Sequence, residues 1–244
     1  MFPLLIFYLK RRANDFFIII YNLVLPAFFI TALGYLMAPS YKGGIITSFQ
    51  YYTIVLIPFF TGLSITTSLY NAKEDRREKV SNRIITAQVN VSKLIFAKIL
   101  SSFIVLFVLT AFLIITGAFF SKNVSAINLL TILTLNGLFT LFCTCLGYFL
   151  GFSNNHEDVI RNYLSLPTCI LAFLGSCFMP ISSTNPIILF ITRISPFYWI
   201  NKANFALLFD SNYVLVLTIS TILLIFSVLL TILTVTTFKV EAYL

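Results

Sequence analysis

Apolar residues fall into six long stretches, at about 16–37, 51–70, 99–120, 127–152, 163–179 and 213–238, and polar residues collect between them. A helix needs about 20 predominantly apolar residues to cross the hydrocarbon core of a bilayer. The pattern therefore predicts an all-α polytopic membrane protein, with six spans in a single domain over residues 1–244. Pro26, Pro58 and Pro167 fall inside three of the stretches. A bundle tolerates them because neighbouring helices and local adjustments satisfy the freed carbonyls.

Charge between the spans sets an orientation. One set of segments, which includes both ends of the chain, holds Lys10, Arg11, Arg12, Lys73, Arg76, Arg77, Lys79, Arg83, Lys93, Lys98, Arg161 and Lys239. The other set holds only Lys42, Lys122, Arg193 and Lys202. Lysine and arginine concentrate in cytoplasmic loops, so twelve against four predicts that both termini face the cytoplasm.

Composition excludes the soluble classes. Apolar residues make up 59% of the chain and charged residues 10%, against about 25% charged in a soluble domain. The net charge of +8 reads as a topology signal and not as a nucleic-acid footprint. Cys143, Cys145, Cys169 and Cys177 lie in or beside apolar runs without a metal-binding spacing, and are read as small buried hydrophobes.

Catalytic signatures are missing. The sequence has no Gly-rich phosphate loop, no G-x-S-x-G elbow and no H-E-x-x-H. The one histidine, His156, stands in a polar loop, and the chain is read as non-catalytic with no metal or cofactor of its own. Ion-coupled carriers keep a titratable carboxylate among their spans. Here all eight acids lie outside the six apolar cores, so the energy for any transport is expected from another protein. A stand-alone secondary carrier and a non-transport membrane protein, such as an immunity protein, are the rival readings.

Two connecting segments are unusual. Within residues 71–98, Lys73, Glu74, Asp75, Arg76, Arg77, Glu78, Lys79 and Arg83 supply eight of the twenty-four charged residues (sixteen Lys and Arg, eight Asp and Glu). Val80, Ile84, Ala87 and Val91 follow helical spacing on one face, and Asp75 with Lys79 can pair at i, i+4. Mixed signs suit a protein partner better than an anionic lipid surface, because complementary charge fixes register. The second segment, 180–212, holds "NPIILFITRI" and "PFYWINKANFALL", each too short to span and too apolar for water. Pro at the first turn suits a helix start. Two short helices dipping into the outer leaflet are predicted, with Tyr198 and Trp199 at the headgroup level.

The ordered set resembles the membrane subunit of type-2 ATP-binding-cassette transporters. The likeness rests on six spans, a basic segment before the first, "EDRREKVSNRIITAQVNVSKLIFAKIL" before the third and "ISPFYWINKANFAL" before the last. The family's usual glycine and proline in the second block are replaced here, by Lys79 or Val80 and by Gln88. The resemblance implies a permease that pairs with a second copy or a related permease in the cell membrane. It implies export, and the near absence of charge within the spans points to an amphiphilic or lipophilic substrate such as a drug, antibiotic or peptide. ATP and magnesium would be bound by a separate ATPase subunit. Residues 1–15 would be a connecting segment along the inner membrane face. Glu74, Asp75, Arg76, Arg77, Glu78, Lys79, Arg83 and Ile84 would belong to the coupling helix seated in that ATPase. His156, Glu157, Asp158 and Arg161 would make a second, smaller contact. Arg193, Pro196, Tyr198, Trp199 and Lys202 would belong to the re-entrant pair on the outer side.

Overall fold

A computed structural model describes residues 2–41, 46–72, 74, 90–120, 125–153, 157–178 and 186–238. All regular structure among them is helical. The first helix, α1 (Phe2–Ala13), carries Lys10, Arg11 and Arg12 in its last turn, where cations meet the negative end of the helix dipole. Asp15 then caps the next helix, its carboxylate accepting from the Phe17 N–H at 3.0 Å.

Helix α2 (Phe16–Leu36) is apolar throughout but is interrupted by one π-turn over Ile20–Val24. The cause is Pro26. Its ring crowds the carbonyl four residues back, that of Asn22, and it has no N–H to donate there. The wider turn opens the backbone, and the Leu25 N–H reaches back to the Ile20 carbonyl instead.

Helix α3 (Ser48–Ala72) is the centre of the bundle, with most of its apolar stretch buried, whereas α2 and α9 (Tyr213–Thr237) leave most of theirs facing outward. The bundle is completed by α4 (Val91–Phe120), α5 (Ala126–Ser153) and α6 (Glu157–Leu174). Two short helices, α7 (Pro186–Ile194) and α8 (Pro196–Asp210), precede α9. Helix α3 packs most extensively against α5, and the reason is local. A methyl group at Gly147 would stand 2.6 Å from the Ile65 carbonyl, and one at Gly151 would stand 2.5 Å from the Ala72 side chain. Two glycines four apart let the backbones touch, which is how helices gain packing in lipid.

One core fills the middle of the molecule. Val55, Leu56, Phe59 and Leu63 of α3 meet Leu135, Phe139 and Cys143 of α5, Phe197 and Ile200 of α8, and Leu223 of α9. A second cluster lies at the basic end, from Tyr8 of α1, Ala72, Ile95, Tyr148 and Phe152.

Among the described residues, five helices are long and apolar enough to cross a bilayer. The predicted third span, 99–120, belongs to a helix that begins at Val91, so Lys98 lies inside it and not ahead of it. The predicted fifth, 163–179, corresponds to α6, whose apolar part, Leu164–Leu174, is shorter than the other spans. It stops early because Gly175 begins a turn and Ser176 adopts left-handed geometry at φ 59°. Three of the four cysteines are buried as expected, but Cys169 is exposed, on the outward side of α6.

Candidate functional site

The basic end is built around the last turn of α3. A helix ends with carbonyls that lack intrahelical donors and carry partial negative charge. Two buried cations serve them here. Lys98 Nζ donates to the Ala72 carbonyl at 3.1 Å, and Arg12 Nη2 reaches the Asn71 carbonyl at 3.4 Å. Both cationic residues are 1% exposed. Lys98 also lies over the rings of Tyr8 and Phe152, at 5.4 and 5.6 Å from their centres, a position that stabilises a desolvated cation.

Glu74 supplies the opposite charge. Arg11 Nε donates to its Oε1 at 3.1 Å, and Arg12 pairs with its Oε2. One carboxylate thus ties α1 to a point two residues beyond α3. Ser102 and Tyr148 share a hydrogen bond of 2.7 Å that links α4 to α5 one turn deeper. Beside this cluster a cavity of about 710 Å³ is lined by Arg11, Asp15, Tyr21, Tyr70, Glu74 and Ser165.

Of the residues expected to meet an ATPase, Glu74 stands in this cluster. Asp75, Arg76, Arg77, Glu78, Lys79, Arg83 and Ile84 lie outside the described residues, as does His156. Glu157, Asp158 and Arg161 fall in the first turns of α6, at the same end of the molecule. The buried roles of Arg12 and Lys98 could not be read from the sequence. Their partners are 59 and 26 residues away, and a lysine beside an apolar run looks like an interfacial residue.

The expected short helices form at the opposite end. Pro186 and Pro196 each open one, and Ser211 closes the second in left-handed geometry. Helix α8 is more deeply packed than an interfacial helix needs to be: Phe197, Ile200, Asn201, Asn204 and Leu207 are all buried. Ser195 Oγ donates to the Leu171 carbonyl at 2.6 Å, and Asn201 Nδ2 donates to the Gly175 carbonyl at 3.0 Å. These bonds fasten α8 to the end of α6. Tyr198, Trp199 and Lys202 form the outward face, with Lys202 Nζ 5.6 Å from the Trp199 ring centre. Trp199 Nε1 donates to the Arg193 carbonyl at 2.9 Å, joining α7 to α8 while the Arg193 side chain is exposed.

Uncharged polar residues also run through the spans. Thr61, Ser64 and Thr67 of α3 and Thr140 and Thr144 of α5 are buried. Each donates to a carbonyl of its own helix three or four residues back, at 2.6–2.8 Å. They need no partner across the interface, so close packing of small residues holds α3 to α5 here. Asn136 is different. Its Nδ2 donates to the Ile132 carbonyl at 2.9 Å and to Asn204 Oδ1 at 3.4 Å, crossing from α5 to α8.

Among the described residues, the five long apolar helices and the fastened short pair define a multi-pass helical membrane protein. A family model described as "ABC-2 family transporter protein" matches residues 37–236. That match takes in all but the first helices and the C-terminal tail, and the chain belongs to this family of ATP-binding-cassette membrane subunits. Compared with curated proteins, the sequence has no significant match.

Proposed function

We propose that this chain is the permease subunit of an ATP-driven exporter in the cell membrane, worked by a separate ATPase that binds ATP and magnesium. Two permeases, either identical or related, would form the path for an amphiphilic or lipophilic substrate. Both termini and the basic end would face the cytoplasm.

One observation carries the coupling. The charged segment that follows Ala72 and precedes Val91 has both ends rooted at one buried point, through Lys98 on the Ala72 carbonyl and Arg12 beside Glu74. A segment so rooted acts as a lever. Force applied to it by closing ATPase subunits reaches α3, α4 and α1 together, because none of the three can move without breaking a buried charge contact. The spans then shift as packed units, which is how small displacements become discrete states.

Purification of the native complex tests the reading. A stoichiometric ATPase should accompany the chain, and reconstituted export should require ATP. Transport by the purified chain alone, down an imposed ion gradient in liposomes, would overturn it.

A further inference from the structure

A cavity of about 290 Å³ lies at the end opposite the basic one, between α3, α4, α5 and α8. Its walls include Ile57, Ile114, Ile132 and Leu208, with Gln50 and Thr53 on one side and Asn136 at the inner end. No Lys, Arg, His, Asp or Glu is among its lining residues. A charged ligand group would therefore be desolvated there without a counter-ion, which is strongly unfavourable. Asn136 is ten residues into α5, or about 15 Å at 1.5 Å per residue, so the cavity reaches deep into the apolar layer.

Asn136 decides what the cavity can hold. It is 2% exposed, and its amide orientation is fixed, because only the nitrogen can donate to the Ile132 carbonyl. Its Oδ1 is consequently an acceptor, and among the described residues it is buried with no hydrogen-bond donor. A buried acceptor left unsatisfied costs on the order of 1–3 kcal/mol, so such atoms call for a reason. A second carbonyl beside the cavity lacks its usual helical donor. Pro58 has no N–H, so the Ile54 carbonyl lacks the donor a helix would normally give it four residues later, and Ile54 lines the cavity.

We infer that this cavity is a binding site for an uncharged amphiphile: an apolar body with a hydroxyl or amide N–H at the end that reaches Asn136. Ile57, Ile114, Ile132 and Leu208 bury the body, and the Asn136 Oδ1 accepts the donor hydrogen. The site lies within one chain's bundle and needs no second permease. It rests on the chain spanning a bilayer and not on ATP coupling. The ligand comes either from the resident lipid, as a neutral lipid with a free hydroxyl, or from the cargo.

The test uses the full chain in nanodiscs and a photoreactive diazirine analogue of decanol, with its methyl ether and its trimethylammonium counterpart as controls. The alcohol should label residues of α3 or α5 near Ile57 and Ile132. The ether and the cation should bind roughly tenfold more weakly, the usual penalty when a polar site meets an analogue without the matching donor. Asn136→Leu should bring the alcohol down to the ether's level, and Ala118→Phe, which adds a ring at the cavity wall, should abolish labelling by both. Equal labelling by alcohol and ether on the unmodified chain overturns the proposal, even if Asn136→Leu does not fold. A second arm uses the native complex with ATP and magnesium: retained alcohol marks a resident lipid, and released alcohol marks cargo. Failure of the first arm leaves the permease reading standing, since no nucleotide enters it.

Discussion

Lys98 and Ala72 are joined side chain to backbone, Nζ to carbonyl oxygen at 3.1 Å, across the charged segment that separates α3 from α4. The lysine belongs to one span and the carbonyl ends the other. The contact therefore closes a loop of the chain at its base and gives that loop a fixed origin.

Removing this charge should loosen the base of the loop. Lys98→Met keeps most of the apolar stem but leaves the Ala72 carbonyl without its charged donor. A charged hydrogen bond of this kind is worth about 1.5–3 kcal/mol. The thermal midpoint of the purified chain in detergent should fall accordingly. A midpoint equal to that of the wild type would show that the contact contributes nothing.

Glu74 and Arg12 should prove unequal when removed singly. Without Arg12, the carboxylate still has Arg11. Without Glu74, Arg12 keeps, among the described residues, the Asn71 carbonyl while remaining buried, and stranding a buried charge costs about 3–5 kcal/mol. Glu74→Ala should therefore destabilise more than Arg12→Met, read by denaturation of both variants and their double mutant. The reverse order would place the cluster's weight on the arginine instead.

The glycines of α5 should differ in tolerance according to what faces them. A methyl at Gly147 meets the Ile65 carbonyl at 2.6 Å, which is backbone and cannot swing aside. At Gly137 the obstacle is the Phe107 ring at 2.7 Å, which can turn. Gly147→Ala should lower stability by about 1–3 kcal/mol, as overpacking does, and Gly137→Ala by less. Similar losses at both sites would mean that α3 and α5 can slide apart freely.

The uncoupling test belongs on the charges beyond Glu74, because Glu74 itself is occupied inside the fold. Asp75→Lys with Glu78→Lys should leave insertion and thermal stability unchanged while abolishing ATP-driven export. Full export by that variant, measured in inverted vesicles, would remove these acids from the ATPase contact.

Much of the fold is legible from the distribution of apolar residues. The predicted ends of the first, second, fourth and last spans fall within a few residues of α2, α3, α5 and α9, because each is bounded by polar or turn-forming residues. The proline starts of α7 and α8 are also readable, since proline suits only the first turn. The third span is misjudged at its start because "VSKLIFAK" carries two lysines, and it is the Ala72 carbonyl with the rings of Tyr8 and Phe152 that makes Lys98 acceptable inside a helix. The fifth is overextended because Ala172 to Met179 stays apolar, and the left-handed Ser176 leaves no mark on hydropathy. Gly147 and Gly151 form a G-x-x-x-G, a signal of close helix approach that marks the α3–α5 contact. The donorless oxygen of Asn136 is not legible at all, since it depends on which carbonyl its nitrogen finds.

The π-turn at Ile20–Val24 sets the phase of everything before it. One surplus residue in a helix rotates the preceding part by ~100° about the axis relative to the following part. Asn22 and Ile18 are buried on one side of that junction, and Pro26 and Gly34 on the other. Take out one residue there and α1 would swing by over a quarter of a circle around the bundle, carrying Arg12 away from Glu74. A single wide turn in the first span thus works as the alignment key by which the N-terminal helix finds its lock, which begins at Asn71, 59 residues beyond Arg12.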